Sequence, residues 1–161
     1  MEWKDKIQVK KGDFAEDIVH TYLENKGFIV YKPHTEGKHG FDRLAVKDKK
    51  QLIIAEVKAK ARMKKYRATG IDLRHYNEYK LIEVKHNIPI FLFFVDEWLK
   101  KIYGNWLSEL EKESYDDVNY PNTIIKPGII FFSYIKMKMI TTLTDEQSEY
   151  LKSTSTRNYT Y

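Results

Sequence analysis

The segment QLIIAEVKAK, Gln51 to Lys60, constrains this chain more than any other. Leu52, Ile53, Ile54, Ala55 and Val57 form an apolar run of strand length. Side chains alternate faces along a strand, so Ile53, Ala55 and Val57 share one face and Leu52 and Ile54 the other. Both faces are then apolar, as in a sheet covered on both sides. Glu56 and Lys58 break the run, both on the Leu52 face and both at its end. Charge confined to one face at the end of a buried strand predicts a polar pocket. An exposed strand end with an ordinary ion pair is the plainer alternative, and the apolar run on both faces argues against it.

The segment before it, FDRLAV, has strand character and is joined through the polar turn KDKK, which predicts a hairpin. A turn symmetric about Lys49 sets Val46 opposite Leu52 and Asp42 opposite Glu56. Opposed residues on one face bring their Cβ atoms to about 5 Å. Two carboxylates that close, away from water, repel each other. A shared proton, a neighbouring cation or a bound metal relieves this. Lys58 supplies one positive charge on the same face. A divalent ion such as Mg²⁺ is typically held by one or two carboxylates, with water and phosphate completing its shell.

The rest of the chain predicts a mixed α/β fold. GDFAEDIVHTYLENKG carries Phe14, Ile18, Val19, Tyr22 and Leu23 at helical spacing, with Asp13 as N-cap and Gly27 as stop. FIVYK is a short strand ended by Pro33. IDLRHYNEYKLIEVKHN is a second amphipathic helix from Ile71, with Leu73, Tyr76, Tyr79, Leu81, Ile82 and Val84 for its buried side. PIFLFFVD is a strongly apolar, central strand. A short strand and helix follow in KKIYGNWLSELEKE, then one or two strands in GIIFFSYIKMKMITTLT. A last helix starts at TDEQSEYLK, with Thr144 and Gln147 as capping box. The order α-β-β-β-α-β, with a C-terminal α/β extension, predicts a mixed central sheet flanked by helices.

With 161 residues, 42% of them hydrophobic, one domain with a sizeable core is expected. A core over about 12–96, an extension over about 97–152 and a frayed tail over 153–161 divide it. The formal charge of +5 favours an acidic partner, most simply nucleic acid. Cysteine is absent, which excludes disulfides, thiolate metal sites and cysteine nucleophiles, and suits a reducing cytoplasm. No apolar run has signal-peptide or membrane-spanning length. A cytoplasmic protein without membrane association is expected. Phosphate-binding glycine loops, HExxH and GxSxG are missing as well.

Asp42, followed by Glu56-Val57-Lys58 at the end of the next strand, resembles the PD-(D/E)XK nuclease superfamily. That superfamily includes restriction endonucleases, archaeal-type Holliday junction resolvases, RecB-type nuclease domains and many phage nucleases. The resemblance spans roughly residues 12 to 96. Phe41 stands where the motif name has proline. The resemblance implies a restriction-endonuclease-like core and a metal-dependent phosphodiesterase acting on DNA, with RNA left open. Asp42, Glu56 and the Val57 carbonyl would bind Mg²⁺, or Mn²⁺ as substitute. The ion would acidify a water and polarise the phosphate. Lys58 would orient that water or stabilise developing charge, and a 5′-phosphate would be left. Some members carry a glutamate on the first helix, and Glu16 lies at that place as a second catalytic or metal-binding acid. Its competing role is a capping box with Asp13.

The stretch KAKARMKKYRATG, which carries Lys60, Arg62, Lys64, Lys65, Tyr66 and Arg67, is expected to be a flexible loop. The cations suit backbone phosphates, and Tyr66 an unpaired base; a solvated loop is the alternative. No base-reading element is visible. His39 is expected to be a solvated loop residue, and His20 to pair with Glu16 on the surface. His75 and Tyr79 faintly echo a Gln-x-x-x-Tyr element of RecB-type nucleases, but Tyr79 is assigned to the core. A junction resolvase would need a homodimer. Trp98, Trp106, Phe131 and Phe132 would suit such an interface, although core is the commoner use. A rival to the nuclease is a catalytically silent relative that binds nucleic acid or serves assembly.

Overall fold

The computed structural model describes residues 6–34, 40–48, 51–61, 63, 67–115 and 128–155. His39, Arg62, Lys64, Lys65, Tyr66 and the expected frayed tail beyond 155 lie outside the described residues. The elements run α1 (Ile7–Asn25), β1 (Ile29–Tyr31), β2 (Arg43–Lys47), β3 (Gln51–Lys58), β4 (Ala68–Asp72), α2 (Leu73–His86) and β5 (Ile90–Asp96). They continue as β6 (Lys101–Trp106), α3 (Leu107–Leu110), β7 (Ser114–Tyr115), β8 (Ile129–Ser133), β9 (Lys138–Thr142) and α4 (Asp145–Ser153). Six strands form a sheet in the order β1-β2-β3-β5-β6-β9. β3 and β5 are parallel and the other neighbours antiparallel, so the sheet is mixed and PIFLFFVD is central.

The alternation within β3 distributes its side chains as expected. Ile53, Ala55 and Val57 pack under α1 and α4 with Ala15, Val19, Val95 and Leu151. Ile54 faces the opposite core, with Tyr79, Leu92, Phe94, Leu107 and Phe132. The β2–β3 ladder runs from Lys47 opposite Gln51 to Arg43 opposite Ala55, with Val46 opposite Leu52. Carried one step on, this register sets Asp42 against Glu56. The expected register of the two strands is therefore correct.

The starts of both long helices, part of the buried side of the second and part of the basic loop differ from expectation. α1 does not start at Asp13: its N-cap is Lys6, and Asp13 lies inside the helix. Lys11 stabilises the additional turns through a 2.6 Å ion pair to Glu97, which is 1% exposed. The capping-box role for Glu16 is thereby removed. The C-terminal stop holds: Gly27 adopts φ +84°, a conformation open to glycine without strain.

α2 does not start at Ile71. Asp72 is its N-cap, accepting the Arg74 N–H at 2.9 Å, and Ile71 belongs to β4. The helix buries one row at three-residue spacing, Leu73, Tyr76, Tyr79 and Ile82. Leu81 and Val84 are exposed.

The basic segment is not loop throughout. β4 begins at Ala68 and pairs with β8, which also pairs with β7, to make a second sheet of three strands. The partner lies some sixty residues away, so nothing local in ATGID announces the pairing. Gly70 is required there: a Cβ would lie 2.8 Å from the Ile130 carbonyl and 2.8 Å from the Phe131 ring. The small sheet covers the α2 side of the large one, with Ile71, Ile130 and Phe132 in the core. Three of the four aromatic residues weighed for an interface serve the core, the use held commoner for them: Phe131 and Phe132 are buried, and Trp106 packs on the α1-side core.

Gly104 in β6 lies under the Phe91 ring, where a Cβ would approach Cε1 to 2.6 Å and overlap the Leu92 carbonyl. Gly104→Ala is expected to lower stability by about 1–3 kcal/mol. Urea denaturation checks this, and an unchanged midpoint would show that the strands separate freely.

Candidate active site

The site lies where β2 stops and β3 continues. Asp42 is the residue just before β2, and its backbone N–H donates to Glu56 Oε2 at 3.1 Å. Its own carboxylate Oδ2 accepts the Val57 N–H at 2.7 Å. The Glu56 carboxylate is thus held by the Asp42 backbone, and the Asp42 carboxylate by the backbone of Val57, the residue after Glu56. Lys58 Nζ donates to Glu56 Oε1 at 2.6 Å. Asp42, Glu56, Val57 and Lys58 are brought together as expected.

Tyr79 takes its expected place in the core and is 4% exposed. Its hydroxyl, however, donates to Glu56 Oε1. Lys58 Nζ also lies 5.5 Å from the Tyr79 ring centroid. The four-residue step from His75 was the signal. His75 itself is exposed, with its ring 6.3 Å from that of Tyr79.

Burial sets the electrostatics. Glu56 is 3% exposed. Desolvation, and then the charge of Glu56, push the Asp42 carboxyl up to about 8. Burial disfavours the Lys58 ammonium, but Glu56 and Asp42 outweigh it and hold its pKa above the usual lysine value. Burial and Glu56 likewise raise the Tyr79 hydroxyl, which stays a donor. Two acids share one lysine, so the pocket has room for further positive charge.

Glu16 is approached differently. Its Oε2 accepts from Arg43 Nη1 at 2.7 Å, and burial raises its pKa against the pull of that guanidinium. Arg43 is completely buried and also holds Asp17 at 3.0 Å, His20 Nδ1 at 3.2 Å and the Asp42 carbonyl at 2.8 Å. His20 does not pair with Glu16; its other nitrogen lies 3.3 Å from Glu24. Reasoning from sequence missed Arg43. It falls on the α1 face of β2, where the alternation calls for an apolar residue.

Of the basic segment, Lys60 and Arg67 are described. Lys60 Nζ donates to the Gly70 carbonyl at 2.9 Å, bracing the segment on β4. The Arg67 carbonyl accepts the Tyr134 N–H at 2.8 Å.

No family profile matches the chain, and no curated protein does. Among solved structures it is similar to Hjc, a Holliday junction resolvase from the archaeal hyperthermophile Archaeoglobus fulgidus. The two are 12% identical with a TM-score of 0.55, over 78% of this chain and 90% of that one. The chain has the restriction-endonuclease-like fold. Within it α1, β1 to β3, α2 and β5 supply the expected α-β-β-β-α-β core. β4, β7 and β8 add the second sheet to it. Among the described residues no helix is long and apolar enough to cross a membrane.

Among the described residues no three acidic, histidine or cysteine ligands converge. Two carboxylates do. Asp42 Oδ1 accepts none of these hydrogen bonds, and Glu56 Oε2 accepts one. The N–H and C=O of one strand residue point to the same edge. Val57 donates toward Asp42, so its carbonyl leaves β3 on that side, past the end of β2. All-oxygen donors of this kind suit Mg²⁺ or Mn²⁺.

The raised Asp42 pKa carries a stability consequence. In the metal-free fold Asp42 retains its proton at pH values where the unfolded chain has lost it. Stability therefore falls as pH rises from about 4 to about 8. Asp42→Asn keeps an acceptor for the Val57 N–H and removes the charge. The variant is expected to gain about 1–3 kcal/mol at pH 8 without metal, less than full linkage because solvent still reaches the group, and nothing near pH 4. Thermal melts across pH with a chelator check it.

Proposed function

We propose that this chain is a divalent-metal-dependent nuclease that hydrolyses DNA phosphodiester bonds through Asp42, Glu56 and Lys58. The observation that carries this is the β2–β3 register, which sets Asp42 beside Glu56 with Lys58 2.6 Å from Glu56, in a restriction-endonuclease-like fold. The Hjc likeness supports nucleic acid as substrate, and the net charge of +5 agrees with it.

Asp42, Glu56 and the Val57 carbonyl would hold Mg²⁺, with Mn²⁺ as substitute. When bound, the ion supplies Lewis acidity at the scissile phosphate and a more acidic water. Lys58 keeps its proton beside Glu56 and presents a fixed cation to charge that builds on the phosphate. Its anchorage on Glu56 means little reorganisation is needed as that charge appears. Tyr79 fixes the Glu56 carboxylate from the buried side. Glu16, tied to Arg43, acts as an accessory acid next to Asp42. Lys60, Arg62, Lys64, Lys65, Tyr66 and Arg67 follow directly from the active strand and would contact the substrate backbone, with Tyr66 stacking on a base.

Metal binding separates this reading from a silent binding module. Mn²⁺ is expected to raise the melting temperature of the wild-type protein and to leave that of Asp42→Asn unchanged. Equal shifts in both would place the ion elsewhere.

A further inference from the structure

Arg43 is the largest fully buried side chain among the described residues. It lies on the α1 face of β2 with Ala45, opposite the small side chain of Ala55. A buried arginine is a poor choice for stability alone. Replacing a buried ion pair by apolar residues of similar size is often neutral or stabilising. Its hydrogen bonds indicate what it does instead. A single nitrogen, Nη1, donates both to Glu16 Oε2 at 2.7 Å and to the Asp42 carbonyl at 2.8 Å. Nε donates to His20 at 3.2 Å and Nη2 to Asp17 at 3.0 Å. Three of these four partners belong to α1 and one to the backbone of the residue before β2. The Asp42 side chain lies on the α2 face and Glu16 comes from the α1 face. Arg43 joins them across the end of β2.

We propose that Arg43 is a positioning residue that locks the Asp42 backbone to α1 and so fixes both Asp42 and Glu16 for metal binding. This rests on the nuclease reading above. Asp42 is otherwise held by its contacts with Glu56 and Val57, on the β3 side only. Arg43 supplies the hold from the other side. Residues that orient metal ligands typically change affinity by about 10–100-fold when altered.

The test is Mn²⁺ binding to the full chain by titration calorimetry, with melting temperature recorded for each protein. Arg43→Lys keeps the charge but not the fork of donors. It is expected to remain folded and to bind Mn²⁺ about 10-fold more weakly. Leu151→Ala, which removes core methyl groups away from the cluster, is expected to lower the melting temperature and leave Mn²⁺ affinity unchanged. If Arg43→Lys does not fold, Arg43→Lys/Glu16→Gln, which removes the stranded acid, is compared with Glu16→Gln alone, and the same weakening is expected. Equal Mn²⁺ affinity in either comparison overturns the positioning role while the nuclease reading stands. Failure of the wild-type protein to bind Mn²⁺ overturns both.

Discussion

Lys58→Met is expected to lower metal-dependent DNA cleavage by about 10²–10³-fold and to leave the fold intact. The residue is the last of β3 and its side chain is largely buried against Glu56 and Tyr79. Desolvation works against its charge, yet the two acids hold it as an ammonium ion. A fixed cation out of bulk water stabilises developing negative charge far better than a solvated one, because no solvent must reorganise around it. Methionine fills the same space without charge. Glu56 then retains the Tyr79 hydroxyl and the Asp42 N–H, and Asp42 can keep its proton, so the strand end stays in place. Single-turnover cleavage beside circular dichroism checks both halves. Wild-type cleavage by the folded variant would remove Lys58 from the chemistry.

Arg43→Met has the largest expected effect on stability, a loss of about 3–5 kcal/mol. The magnitude comes from the partner left behind. Glu16 is 14% exposed at its side chain, and without the guanidinium its carboxylate has little solvent to turn to. Asp17 is 65% exposed and loses much less. The double variant Arg43→Met/Glu16→Gln is therefore expected to recover part of the loss. Urea denaturation of the single and double variants measures the coupling. A single-variant loss below about 1 kcal/mol would mean that water reaches Glu16 freely.

The central elements were legible because each follows from a short-range rule. Period-two alternation in LIIAEVK puts Glu56 and Lys58 on one face. The polar turn about Lys49 set Asp42 against Glu56, and Thr144 with Gln147 formed the capping box that starts α4. What was missed depends on distant partners. β4 is a strand because β8 lies beside it, and α1 gains its first turns where Lys11 reaches Glu97. Arg43 defies the apolar pattern of its face, and only the arrival of α1 with Glu16, Asp17 and His20 explains it. Tyr79 shows the limit of assigning one role to one residue, since its ring is core and its hydroxyl belongs to the site.

The most direct measurement of the central claim is cleavage of circular and linear DNA by the purified wild-type protein and by Lys58→Ala, with Mg²⁺ or Mn²⁺ and with a chelator. Cleavage by the wild type that needs the metal and disappears in Lys58→Ala is the expected result. Metal-independent cleavage, or equal cleavage by both proteins, would contradict the account.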